Sequence, residues 1–75
     1  MLTADQIISM LKLKDDRMFV RNKLKKYDPF HHDRIVNGYM DQWRIGVNSV
    51  EIEYKKQNAG RYMANCWLRE ENHNV

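Results

Sequence analysis

Cysteine, proline and glycine are all scarce in this chain of 75 residues, which holds one cysteine, one proline and three glycines. The single Cys66 cannot form an internal disulfide or half of a paired metal motif, so we expect a reducing, cytoplasmic setting. The sequence also lacks a glycine loop that cradles phosphate, a nucleophile elbow and a zincin motif. It therefore favours a protein that is not an enzyme, with no catalytic residue and no cofactor.

Long apolar runs are missing as well. No apolar segment approaches the length that spans a membrane, and the N-terminal MLTADQII lacks the basic and then apolar regions of a secretion signal. We therefore expect neither secretion nor a membrane partner.

The chain nevertheless has enough apolar content to fold, because 43% of its residues are hydrophobic. Its length suits one domain with a small core. We predict a single helical domain over residues 1–71 and a flexible C-terminal tail over residues 72–75.

Two helices are predicted in the N-terminal third. Thr3 and Gln6 fit a capping box, which begins a helix over residues 4–12. A second helix is expected to begin after Asp15 or Asp16, either of which can cap it.

The pair Asp28-Pro29 is predicted to end the second helix and to start a third, with Asp28 as its cap. Gly46 is the expected terminator of this third helix. Its apolar positions recur at helical spacing: Ile35, Val36, Tyr39, Met40 and Trp43.

Residues 44–54 admit two interpretations. Asn48 with Glu51 can cap a fourth helix, but the alternating residues around a turn at Asn48-Ser49 also suit a small hairpin. A helix over residues 55–69 is expected either way, and small residues at 59, 60 and 64 would let another helix approach unless residues 58–60 break it. The apolar face predicted for this last helix holds Ile52, Ala59, Met63, Cys66 and Trp67. The sequence thus predicts an all-α fold, a compact bundle of three to four short helices, with a hairpin at 44–54 as the alternative.

Positive charge is concentrated between Lys12 and Tyr27. This stretch holds seven of the thirteen basic residues, while the rest of the chain has six basic and eight acidic residues. At about 100° per residue, four cations fall in one stripe, opposite Val20, Leu24 and Tyr27. We name these four the basic stripe: Lys14, Arg17, Arg21 and Lys25.

The basic stripe has three interpretations. It is a solvated face that keeps the protein soluble, a surface for an acidic protein partner, or a surface for nucleic acid. We favour the protein partner, and a homodimer is an open alternative. The predicted partner-binding residues are Lys14, Arg17, Met18, Phe19, Arg21, Asn22 and Lys25.

The nucleic-acid interpretation is carried by LTADQIISMLKLKDDRMFVRNKL, which resembles a helix-turn-helix of the excisionase or MerR kind over about a third of the chain. The resemblance implies a second helix in the DNA major groove, with contacts from Arg17, Arg21 and Lys25. Lys12 stands where that family usually has glycine in the turn. Arg21 and Asn22 stand where it has apolar residues.

Two further candidates, a histidine pair and the cysteine, have structural interpretations beside functional ones. His31-His32 near Asp28 and Asp33 lack the spaced ligands of a zinc site, so no metal is predicted and His32 is expected to be a hydrogen-bonded packing residue. Cys66 is expected to be a core residue rather than a nucleophile.

The aromatic residues divide into two groups. Tyr39, Trp43, Tyr62 and Trp67 are expected mostly in the core. Phe19, Phe30 and Tyr54 are less well placed for burial and are candidates for a partner-binding patch.

Overall fold

In a computed structural model, which describes residues 2–70, the chain folds into four α-helices. These are α1 (Ala4–Met10), α2 (Lys14–Leu24), α3 (His32–Asn48) and α4 (Lys56–Arg69), with one-turn 3₁₀ helices at Pro29–His31 and Glu53–Lys55. Residues 2–70 contain no strand, so the predicted all-α fold is confirmed and the hairpin alternative at 44–54 is wrong. Over this part of the chain, no helix has the length and apolar character to cross a membrane.

The described residues form two units, one up to Asn37 and the other from Gly38. The boundary lies within α3, which contributes its first turns to the first unit and the remainder to the second. The single domain over residues 1–71 stays a prediction, and the tail at 72–75 lies outside the described residues.

In the first unit, polar groups hold the start of the chain. The predicted capping box is present: the Gln6 amide donates to the Thr3 hydroxyl and the Thr3 amide donates to the Gln6 side chain. Asp33 adds a long-range bond, since its Oδ1 accepts the Ala4 amide at 2.7 Å. The buried apolar residues of this unit are Ala4, Ile7, Ile8, Leu11, Val20, Leu24, Ile35 and Val36.

The first two helices differ from prediction at their facing ends. α1 ends at Met10, because Leu11 is extended and closes the helix as its C-cap. α2 begins at Lys14, before the predicted caps, and its N-cap Leu13 makes no side-chain cap bond. Asp15 and Asp16 lie instead in the first turn of α2, where carboxylates favour the positive end of the helix dipole.

The second unit is built on close packing of α3 and α4. A Cβ at Gly38 would lie 2.7 Å from the indole of Trp67, and one at Gly60 would lie 2.6 Å from Cδ1 of Trp43. Gly38 precedes Trp43 on α3, whereas its contact Trp67 follows Gly60 on α4. The two helices are therefore antiparallel. Of the small residues predicted to admit another helix, Ala59 and Gly60 lie against α3, and Ala64 is buried.

Gly46 does not terminate α3, contrary to prediction, since the helix continues to Asn48. A Cβ at this position would lie 2.5 Å from the Ala59 carbonyl oxygen and 2.7 Å from Cα of Gly60. Glycine is therefore needed here because the α4 backbone occupies the space of a side chain. The fourth helix also does not begin at Asn48, because α4 starts at Lys56 after the 3₁₀ turn.

The buried face of α4 differs from the predicted one, because α3 packs closely against its small residues. Its buried residues are Gly60, Ala64 and Leu68, whereas Ile52 is exposed and the other predicted members are half-buried. Tyr62, expected mostly in the core, is 72% exposed because it lies on the opposite side of α4 from Gly60. Tyr39 is fully buried as predicted, and Trp43 and Trp67 are half-buried.

Candidate functional site

The solvent side of α2 gathers five of the predicted partner-binding residues. All five side chains are exposed, and they recur at the helical spacings that place residues on one face. We name this surface the outer face of α2: Lys14, Met18, Arg21, Asn22 and Lys25. The opposite side of the helix holds Val20 and Leu24, both buried.

The cations of the outer face have no internal partner in the part of the chain that the structure describes. Within residues 2–70, the side chains of Lys14, Arg21 and Lys25 make no hydrogen bond and no ion pair. Lys14 and Arg21 lie on α2 and Lys25 is its C-cap, so the three cations lie within about three helical turns. They therefore form a local positive surface open to solvent anions.

Arg17 has a different position from the rest of the basic stripe. It is half-buried, and its Nη1 donates to the Leu11 carbonyl at 2.5 Å and to the Lys12 carbonyl at 3.1 Å. These carbonyls belong to the connection between α1 and α2, where the end of a helix leaves acceptors without partners. Arg17 therefore stabilises this connection, and its role in binding a partner stays a prediction.

The two apolar residues predicted at the site also differ. Met18 is 51% exposed among the cations of the outer face. Phe19 is half-buried and engaged in a contact of its own, so it is not a free apolar surface. The outer face therefore combines positive charge with one exposed apolar side chain.

Sequence reasoning missed the burial of Asp16, which is 3% exposed. The signal was the spacing, since Asp16, Val20 and Leu24 recur every four residues and share the inner side of α2. A carboxylate at this position lies in the first helical turn, where the dipole stabilises negative charge. Its burial removes it from the outer face and leaves Asp15 as the exposed acid of that turn.

Residues 25–31 connect α2 to α3, and the last three of them form a 3₁₀ turn. The Asp28 carboxylate accepts the Phe30 amide at 2.9 Å, so the predicted cap is present, but it caps the 3₁₀ turn Pro29–His31. α3 itself begins at His32, and α2 ends at Leu24, before the stop predicted at Asp28-Pro29. The ring of His32 is half-buried, and its Nε2 donates to the Tyr27 carbonyl at 3.0 Å, since a carbonyl can only accept. The prediction of a hydrogen-bonded packing histidine is thus confirmed. No group of three or more metal-ligating side chains is placed to hold an ion anywhere in residues 2–70.

Cys66 is a free thiol on α4 and is half-buried rather than fully enclosed.

The aromatic candidates for a partner patch divide by exposure: Phe30 is 88% and Tyr54 is 80% exposed, whereas Phe19 is half-buried. Two cations of the second unit, the exposed Arg44 and the half-buried Lys56, are already matched in ion pairs with Asp41 and Glu53.

Comparison of the chain with protein-family models, with curated proteins and with solved structures gave no significant match.

Proposed function

We propose that this chain is a non-enzymatic binding module, an adaptor, regulator or inhibitor that docks the outer face of α2 on an acidic protein surface. One observation carries the proposal: within residues 2–70, Lys14, Arg21 and Lys25 face solvent without an internal partner. Such cations can pair with carboxylates of another protein without first breaking an internal bond. Complementary charge of this kind speeds association and selects the partner.

Met18 supports a protein partner over a nucleic acid. Its side chain is about half exposed among the cations, and burying the remainder would contribute roughly 1 kcal/mol. A protein surface offers apolar groups to cover such a side chain, whereas phosphates do not. Methionine and arginine together are typical of the centre of protein interfaces.

Asp15 also supports a protein partner over a nucleic acid. In a helix-turn-helix, the first residues of the second helix approach the DNA bases. Here the first turn of α2 carries the exposed carboxylate of Asp15, which phosphates would repel. DNA binding remains the second candidate because α1, a three-residue connection and basic α2 follow one another in helix-turn-helix order.

A symmetric homodimer through the outer face of α2 is disfavoured. It would bring Lys14, Arg21 and Lys25 against the same cations of a second copy, and facing like charges oppose association. The partner that fits this face is therefore a different, acidic protein.

The proposal is tested by affinity capture from a cell lysate with three versions of the chain. The native chain should retain one stoichiometric partner, and the Arg21→Glu/Lys25→Glu variant should lose it. The Arg44→Glu/Lys55→Glu variant changes the net charge equally in the second unit and should retain the partner. Equal retention by all three versions, or no retained partner, would count against the proposal.

A further inference from the structure

Phe30 is the most exposed large hydrophobic residue in residues 2–70, at 88%. The next two, Tyr54 at 80% and Tyr62 at 72%, carry hydroxyl groups that water can hydrogen-bond. Phe30 has no polar group in its side chain, so its exposure gives the folded monomer no benefit. A phenyl ring left in water is typical of an interface anchor.

The backbone presents this ring from a fixed turn. Pro29 restricts its own φ, and the Phe30 amide is bound to the Asp28 carboxylate at 2.9 Å. The His31 amide donates to the Asp28 carbonyl at 2.9 Å, which closes the 3₁₀ turn. Because the backbone is already ordered, covering the ring costs little additional conformational entropy.

Neighbouring side chains brace the ring and add charge. The His31 ring meets the Phe30 ring edge to face, with centroids 5.5 Å apart and planes at 88°. Arg34 Nη2 lies 3.3 Å from Nδ1 of His31 and donates to it. The exposed guanidinium of Arg34 is therefore bound to His31, the residue whose ring packs against Phe30.

We infer that Phe30 is the apolar anchor of the docking surface and inserts into an apolar pocket on the same acidic protein that the outer face of α2 binds. Arg34 then pairs with a carboxylate at the rim of that pocket. This inference rests on the proposed function and adds the apolar recognition element to it. The partner is an acidic protein surface with an aliphatic pocket, because the Arg34 guanidinium on His31 matches a carboxylate and the Phe30 ring matches apolar groups.

The distance along the chain is compatible with one interface. Phe30 follows Lys25 by five residues, so their Cα atoms can be at most about 18 Å apart. A standard interface covers about 800 Å² on each partner, which is roughly 28 Å across. One partner of ordinary size can therefore reach both residues.

Short fluorescent peptides separate the two elements of this recognition. One set contains only Glu and Ala, a second set has Leu in place of some Ala, and a third has Lys in place of Glu. Binding is measured by anisotropy for the native chain and the Phe30→Ala, Phe30→Trp and Tyr62→Ala variants. Because Phe30 and Tyr62 are both mostly exposed, neither alanine substitution removes a core side chain.

Introducing Leu should tighten binding to the native chain about tenfold, but less than about twofold for Phe30→Ala. Phe30→Trp and Tyr62→Ala should keep the full leucine effect. An equal leucine effect in Phe30→Ala and the native chain would overturn the anchor while leaving the proposed function in place. If the native chain binds the Glu peptides no better than the Lys peptides, the proposed function itself fails.

Discussion

The guanidinium of Arg17 donates a hydrogen bond to the main-chain carbonyl of Leu11, the C-cap of α1. A second bond from the same nitrogen reaches Lys12. One side chain of α2 thus fixes the end of α1, because it satisfies carbonyls that the helix leaves without partners. The basic stripe therefore contains one cation that serves the fold and three that face solvent without an internal partner in residues 2–70.

Arg17→Ala should lower the free energy of unfolding by about 1.5–3 kcal/mol, the range for hydrogen bonds that involve a charged group. Urea denaturation followed by circular dichroism measures this change. Arg21→Ala, on the same helix but exposed, is the matched control and should change stability by less than about 0.5 kcal/mol. Equal effects of the two substitutions would mean that the bonds of Arg17 do not stabilise the connection.

The glycines of the second unit should respond differently to alanine. Alanine gains about 1 kcal/mol of helix propensity, and overpacking typically costs about 1–3 kcal/mol. At Gly46 the added Cβ meets the α4 backbone, which cannot move aside, so Gly46→Ala should be clearly destabilising. At Gly38 it meets the far end of the Trp67 side chain, so Gly38→Ala should cost less. Thermal unfolding measures the order, and a more stable Gly46→Ala variant would contradict the close packing of α3 and α4.

Tyr39→Phe tests the polar link between α3 and α4. The Tyr39 hydroxyl donates to Oδ1 of Asn65 at 2.6 Å, and the Tyr39 side chain is fully buried. Removing the hydroxyl should cost about 1 kcal/mol, since the Asn65 oxygen loses this donor while the ring still fills its space. Tyr62→Phe is the control on the exposed side of α4 and should leave the urea midpoint unchanged. A neutral Tyr39→Phe substitution would show that the hydrogen bond adds no net stability.

Local signals predicted the start of α1 and the 3₁₀ turn that leads into α3, but not the starts of α2 and α4. Thr3 with Gln6, and Asp28 with Pro29, act through groups only a few residues away, so the sequence contains the whole interaction. Gly46 was misjudged because the same residue type ends helices and admits close helix packing. The choice between these roles depends on Ala59 and Gly60, which lie more than ten residues away.

The candidate site was likewise predictable only where it depends on local helical spacing. Helical periodicity correctly separated the exposed Lys14, Arg21 and Lys25 from the buried Val20 and Leu24. It could not distinguish Arg17 from Arg21, because that difference depends on where α1 ends and which carbonyls it leaves open. The environment of Phe30 could be predicted only in part. The Asp28 cap is a local signal in the sequence, but the contacts of His31 with Phe30 and of Arg34 with His31 depend on side-chain positions that the sequence does not give.

Random-sequence duplex DNA tests the alternative function. We expect weak binding at low salt, because three cations can each displace about one counterion, and a fall with rising salt. The affinity should not exceed that for Glu-rich peptides at the same ionic strength. Anisotropy at two salt concentrations measures both, and a clear preference for the duplex would replace the protein partner with DNA.

The most direct test of the central claim is the affinity of the chain for a fluorescent peptide of Glu and Ala, measured by anisotropy. Arg21→Glu/Lys25→Glu should weaken binding more than about thirtyfold, since it removes two favourable charge contacts and creates two repulsive ones. Arg44→Glu/Lys55→Glu, with the same net charge, should weaken binding less than about threefold through long-range charge alone. Equal losses in the two variants would contradict the account, because binding would then follow total charge rather than the outer face of α2.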